Sequence, residues 1–125
     1  MQRYKAIIDL KLPAKYLIAR NFPVKFDPEA SLSKLWKIHQ GTRREYQDVL
    51  LSPTEEYLDP SRSLSSQSFL ELKDAIAHRI LHECHFCARR CNIDRTRSLG
   101  FCEVNHSSHV SSAFLHTGEE APLVP

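Results

Sequence analysis

All four cysteines of the chain fall between positions 84 and 102, spaced Cys84-x2-Cys87-x3-Cys91-x10-Cys102. Two thiolates separated by two residues can turn toward one ion. A third joins them after a short turn, and the last closes the set from across a loop, where Gly100 would permit a close approach. Four thiolates suit either a closed tetrahedral zinc site or the four irons of a 4Fe–4S cluster. The spacing matches neither pattern fully. Zinc ribbons usually pair two Cys-x2-Cys knuckles, and the ferredoxin run uses shorter steps. Disulfides here would close only short loops, whereas a disulfide scaffold gains most from long ones. Asp9 and Lys11 interrupt the first apolar stretch before it could serve as an export signal. The expectation is therefore a cytoplasmic protein whose clustered thiols hold a metal.

Charge adds to that reading. Four thiolates around a divalent ion leave a net −2, and Arg89, Arg90, Arg95 and Arg97 share the segment with Asp94 as its only carboxylate before Glu103. These arginines could neutralise the site and donate to its sulfurs. The plain alternative is that they are solvated loop residues, and a phosphate-binding patch is a third possibility. Phe86 and Phe101 are the only aromatics interleaved with them, which argues against a single-stranded nucleic acid partner. A two-Cys two-His finger through Cys84, Cys87, His106 and His109 would need an overlong gap and too short a histidine spacing. The histidines, including His82, His85 and His116, are better read as surface or hydrogen-bonded groups. No catalytic set stands out. Three glycines cannot build a phosphate-cradling loop, and there is no nucleophile elbow.

The elements that must carry this loop can be read from periodicity. Residues 1–51 form a helical leader. Within it Pro13 suits the first turn of a short helix over 13–19, and Pro23 and Pro28 then keep the chain irregular. From Leu32 the residues Leu35, Trp36, Tyr46, Val49 and Leu50 share one side of a helix with Ser31 or Ser33 as its N-cap; Gly41 could break it. Residues 52–67, rich in Ser and Pro, read as a linker. Ser68 and Glu71 have capping-box spacing, and Phe69, Leu72, Ile76 and Ile80 make one apolar stripe over a helix within 68–83. The four-cysteine loop occupies 84–104. Residues 105–125 follow, with Val110–Leu115 weakly strand-like.

Composition sets outer limits. The chain has 125 residues, 42% of them apolar, and a formal charge of +2. That balance gives no general argument for a polyanionic partner. No apolar run approaches the roughly 20 residues a membrane-spanning helix needs, so no membrane partner is expected. The fold class expected is mainly α with an irregular four-cysteine metal loop.

Three stretches look familiar: Cys84-His85-Phe86-Cys87-Ala88-Arg89-Arg90-Cys91-Asn92-Ile93-Asp94-Arg95, then Leu99-Gly100-Phe101-Cys102, then Ser111 through Gly118-Glu119-Glu120-Ala121-Pro122 to Pro125. In this order they resemble the opening of radical S-adenosylmethionine proteins related to the pyruvate formate-lyase activating enzyme. The segment Leu12–Ala19 and the Leu32–Trp36 helix look like the leader of the archaeal-type members. The resemblance implies that Gly-Glu-Glu-x-Pro leads into the first strand of an α/β, partial TIM-like barrel. A Cys-x3-Cys-x2-Cys motif would follow, binding the 4Fe–4S cluster that cleaves S-adenosylmethionine.

This sequence stops at Pro125, before that motif, and its own triplet runs in the reverse order. The resemblance therefore implies an N-terminal fragment, truncated ahead of the radical-generating site and not catalytically competent alone, with no catalytic or S-adenosylmethionine-binding residue of its own. Its metal ligands would be Cys84, Cys87, Cys91 and Cys102, holding zinc or a 4Fe–4S cluster. S-adenosylmethionine and a second cluster would belong to a full-length protein or to a separate chain carrying the barrel. The competing reading is a stand-alone module in which structural zinc orders the loop and the surface contacts a protein or nucleic acid.

Overall fold

A computed structural model describes residues 2–9, 11–53, 67–110 and 112–113. These are mainly helical: α1 (Gln2–Ile8), α2 (Lys15–Asn21), α3 (Leu32–Leu51) and α4 (Phe69–His82). The β pairing among them is an isolated bridge between Pro23 and Ser68. No helix of the described residues is long and apolar enough to cross a membrane.

The predicted stripe on α4 is the centre of the packing. Phe69, Leu72, Ile76 and Ile80 are all buried, at intervals that return to one helix face. They meet Ile18, Ala19 and Phe22 from α2 and its exit, and Leu35 and Tyr46 from α3. Burial of each large side chain stabilises by about 1.5–3 kcal/mol, so this contact layer supplies most of what holds the helices together. Phe22, Tyr46 and Phe69 form an aromatic triad, with the Tyr46 and Phe69 ring centroids 4.7 Å apart and Phe22 edge-on to Tyr46 at 5.7 Å.

Backbone bonds fix where α4 begins. The Phe69 N–H donates to Phe22 O at 2.8 Å and the Val24 N–H to Gln67 O at 2.8 Å, so the chain leaving α2 runs beside the chain entering α4. The capping box forms as its spacing predicts. The Glu71 N–H donates to Ser68 Oγ at 3.2 Å, and the Ser68 N–H donates to the Glu71 carboxylate at 2.6 Å. Ser68 is itself buried, and a cap of this kind contributes about 1 kcal/mol.

Four expectations change in detail. The helix α1 carries no strong apolar period and is not singled out within the expected helical leader. It is held by the Arg3 guanidinium, which donates to Leu50 O at 2.8 Å and to Pro13 O at 3.2 Å. Pro13 lies outside α2, whose N-cap is Ala14. Gly41 does not break α3, which runs through it for 20 residues from its Ser31 cap. Gly41 is exposed and nothing lies within 4 Å of where its Cβ would be, so the cost is only its own backbone freedom. Trp36 is not enclosed with the apolar side but remains 38% exposed, its ring edge-on to His39. Most of the 52–67 linker and of the 105–125 segment lies outside the described residues. Val110, the first residue of the expected strand, is in irregular structure and 80% exposed.

Candidate metal centre

The cysteine loop grows from the end of α4. Its C-cap Glu83 leaves helical geometry, and Cys84 follows, 4% exposed against the core. A reciprocal pair of backbone bonds then closes the first turn of the loop, Cys84 N–H to Ile93 O at 3.1 Å and Asn92 N–H to Cys84 O at 2.9 Å. Inside it, the Arg90 N–H reaches Cys87 O at 3.1 Å. Arg90 and Asn92, on either side of Cys91, adopt φ of 43° and 52°. Left-handed backbone at two non-glycine residues costs energy and persists where surrounding contacts over-determine it.

A second tight turn carries the last cysteine. The Glu103 N–H donates to Gly100 O at 2.9 Å, the Gly100 N–H to Val104 O at 3.0 Å, and Glu103 has φ of 58°. A Cβ on Gly100 would meet Cys102 Sγ at 3.5 Å and Val104 O at 3.6 Å. These are ordinary contacts, so the close approach expected of this glycine is not forced by lack of space. The loop is tied back to α4 by the Arg95 N–H, which donates to Leu81 O at 2.8 Å, one of the carbonyls that a helix end leaves open. Asp94 holds the corner. Its carboxylate accepts from the Thr96 N–H at 2.9 Å and the Thr96 hydroxyl at 2.6 Å, and His82 Nδ1 lies 3.6 Å away. The Thr96 bonds, with His82, keep this carboxyl below its usual range.

All four cysteines line one cavity of about 220 Å³, walled by Phe86 and Phe101 and bordered by Arg89 and Arg95. The four are free thiols. The Cys91 thiol lies 4.0 Å from Cys84 O, and the nearby backbone N–H groups of Phe101 and Ile93 hold it below the usual cysteine range. That is the condition a metal ligand needs, since the thiolate is the binding form. Among the described residues, however, no group of three or more His, Cys, Asp or Glu side chains is placed to hold a metal ion. The sulfurs share a cavity without converging on one point.

The four arginines separate. Arg95 alone reaches the sulfurs, from Nη2 to Cys102 Sγ at 3.3 Å and from Nη1 to Cys84 Sγ at 3.7 Å, while Nη2 also donates to Val104 O at 2.7 Å. Its bond to Cys84 and its nearness to Cys102 and Cys91 raise its already high pKa. Arg89 instead lies over the Phe101 ring, 3.9 Å from its centroid. Arg97 pairs with Asp94 at 3.6 Å, and Arg90 is exposed in its turn. The histidines are engaged elsewhere. His85 Nδ1 lies 2.7 Å from Glu83 O and His106 Nδ1 lies 3.3 Å from Arg95 O; no histidine of the described residues lines the cysteine cavity, and His116 lies outside them. Phe86 and Phe101, which in the sequence serve only to argue against nucleic acid, are the walls of the site. Alternation of aromatic residues with cysteines over 84–102 is the one signal that could have marked them.

An Arg95→Met variant tests the counter-charge directly. If the cysteines hold a metal, loss of a group that orients its ligands typically costs about 10–100-fold in affinity, so any metal bound by the purified protein should be released to a chelator at least tenfold faster. Arg95→Lys keeps the charge without the planar fork and should fall between. Equal release rates in all three proteins would mean that Arg95 serves the backbone of the loop and not its sulfurs.

No family model matches the chain, and no solved structure does. The chain is similar to an uncharacterized protein of Methanocaldococcus jannaschii, 36% identical over 124 residues. The match covers 98% of this chain and 34% of that relative, so the chain spans about a third of the length of the curated relative it matches.

Proposed function

We propose that this chain is a metal-carrying N-terminal segment of a longer radical S-adenosylmethionine protein, and that Cys84, Cys87, Cys91 and Cys102 bind a 4Fe–4S cluster in it. The observation that carries the reading is one partly open cavity lined by all four cysteines, with Phe86 and Phe101 at its sides. A single zinc ion requires its sulfurs within about 2.3 Å of a common point. The described side chains do not converge in that way, whereas four thiolates that each bind a different iron of a cluster need not meet at one point. The donor chemistry also fits. Backbone amides on Cys91 and the Arg95 guanidinium on Cys84 and Cys102 supply the hydrogen bonds and charge that tune a thiolate-bound cluster. When bound, such a cluster supplies one-electron chemistry. This chain's own residues hold it, shield it and neutralise it. The wider assignment, with a barrel and S-adenosylmethionine supplied by further sequence or by a partner chain, is supported by the resemblance of the cysteine and Gly-Glu-Glu-x-Pro segments and by the greater length of the relative.

Anaerobic purification with iron, zinc and acid-labile sulfide analysis tests it. The expected product is brown, with iron and sulfide in equal amounts. A colourless protein with one zinc and no sulfide would replace this reading by the structural-zinc module. Protein free of both metals, with all four thiols open to alkylation, would end either one.

A further inference from the structure

A second hollow, of about 410 Å³, opens on the helical core between α2, α3 and α4. Its lining carries four basic groups, Lys15 at the start of α2, His39 and Arg43 one turn apart on α3, and Lys73 on α4, beside the neutral Tyr16, Tyr46 and Gln47. Among the described residues no carboxylate lines it; Asp48 faces the neighbouring depression beside Lys15. The floor is apolar. Lys73 Nζ lies 4.5 Å from the Phe69 ring centroid and 5.3 Å from that of Tyr46, and the His39 ring stacks on Phe69 at 5.0 Å.

These cations work against one another. Burial together with Lys15 lowers the pKa of Lys73, and burial together with Lys73 and Arg43 lowers that of His39. Three elements far apart in sequence thus converge repelling charges on one place, and none of the ion pairs of the described residues involves Lys15, Arg43 or Lys73. A bound anion would relieve that repulsion. A guanidinium fork and a mobile ammonium together suit a phosphate group, with Arg43 able to engage two oxygens and Lys73 acting as a point charge. A phosphate monoester carries about −1.5 to −2 charges at neutral pH, closer to what three fixed cations need than the single charge of a carboxylate. The hollow also falls within the roughly 300–1,000 Å³ range of small-molecule sites, and the exposed Tyr16 and Leu70 in its lining offer apolar surface to an organic body.

We propose that this hollow binds a small organic phosphate monoester, its phosphate held by Lys15, Arg43 and Lys73. The site is built from the helical core and shares no residue with the cysteine loop, so it stands whether or not the metal assignment does. Trp36 is the sole tryptophan of the chain, and its ring lies 5.2 Å from that of His39. Its indole N–H therefore gives one NMR signal next to the site. Titration of the full chain with AMP, and separately with inorganic phosphate, should shift that signal saturably, with phosphate competing against AMP. Lys73→Gln and Arg43→Gln should each weaken AMP by at least tenfold while the thermal melt of the protein stays in place; both side chains are exposed enough to change without loss of core. A titration that never saturates would overturn the site, as would affinity indifferent to both substitutions. Tighter binding of an oligouridylate than of AMP would do the same, and would make the hollow part of a nucleic acid surface instead.

Discussion

Cys84→Ala should abolish metal loading and release residues 84–106 from their fold while leaving the helices standing. Cys84 holds two positions at once. Its backbone forms both bonds that close the first turn, and its sulfur faces the common cavity and accepts from Arg95. The rest of the loop is held by hydrogen bonds and little apolar burial. Cys87, Phe86, Arg90, Phe101 and Cys102 are all exposed, and three residues of the loop have left-handed backbone. Such a segment buries too little apolar surface to offset its ordering entropy. Under the proposed function, bound metal supplies the difference, as it does in small metal-dependent modules, where binding contributes on the order of 10–16 kcal/mol of folding free energy. Hydrogen exchange on the anaerobically prepared protein is the decisive measurement. Amides of Cys84, Asn92, Gly100 and Glu103 should lose protection in the variant, and those of α4 ahead of Ile80 should keep it. The same pattern should follow chelation of the unaltered protein. Protection at those four amides that survives both treatments would show that the loop is self-supporting and that the cysteines are not its organising ligands.

The grouping of the four cysteines was legible in the sequence to the extent that one kind of spacing governs it. Four thiols within a short span have few ways to lie, and the structure does bring them around one cavity. What spacing could not provide was the choice among the arginines. Arg89, Arg90, Arg95 and Arg97 look equivalent in a string of residues. Only the turn at Asp94, which sends the Arg95 side chain between the two cysteine turns, selects one of them. The basic hollow was hidden for the opposite reason. Lys15, Arg43 and Lys73 come from three helices and become neighbours only through packing, and a scattered lysine on a helix reads as a solvated face.

The helices followed the same logic. Where several signals agreed, as at Ser68 through Ile80 with its cap and stripe, sequence and structure coincide. At Gly41 a single local cost opposed the apolar pattern on both sides of it, and packing along Leu35 and Tyr46 outweighed about 1 kcal/mol. At α1 there was no stripe to see. Its anchor is a guanidinium that donates to the backbone near the end of α3, a contact no window of local sequence contains.

Phe69→Ala should cost about 3–5 kcal/mol, the usual range for deleting a fully buried phenylalanine. The upper part of that range is expected here because of what surrounds the ring. Phe69 is 1% exposed. It touches the exit of α2 through Phe22, α3 through Tyr46 and His39, and its own helix through Lys73. The three walls of that space belong to different helices, so none can collapse into the gap without pulling away from another. A small domain has only about 5–15 kcal/mol in total, and the described core is confined to one layer, so the variant should sit close to its unfolding threshold. Urea melts monitored by helical circular dichroism give the number. Leu51→Ala is the control, since that side chain is 85% exposed and its loss should stay within about 0.5 kcal/mol. If both substitutions shift the midpoint equally, the aromatic triad is not the centre of the fold, and the cohesion of α2, α3 and α4 must come from elsewhere in the chain.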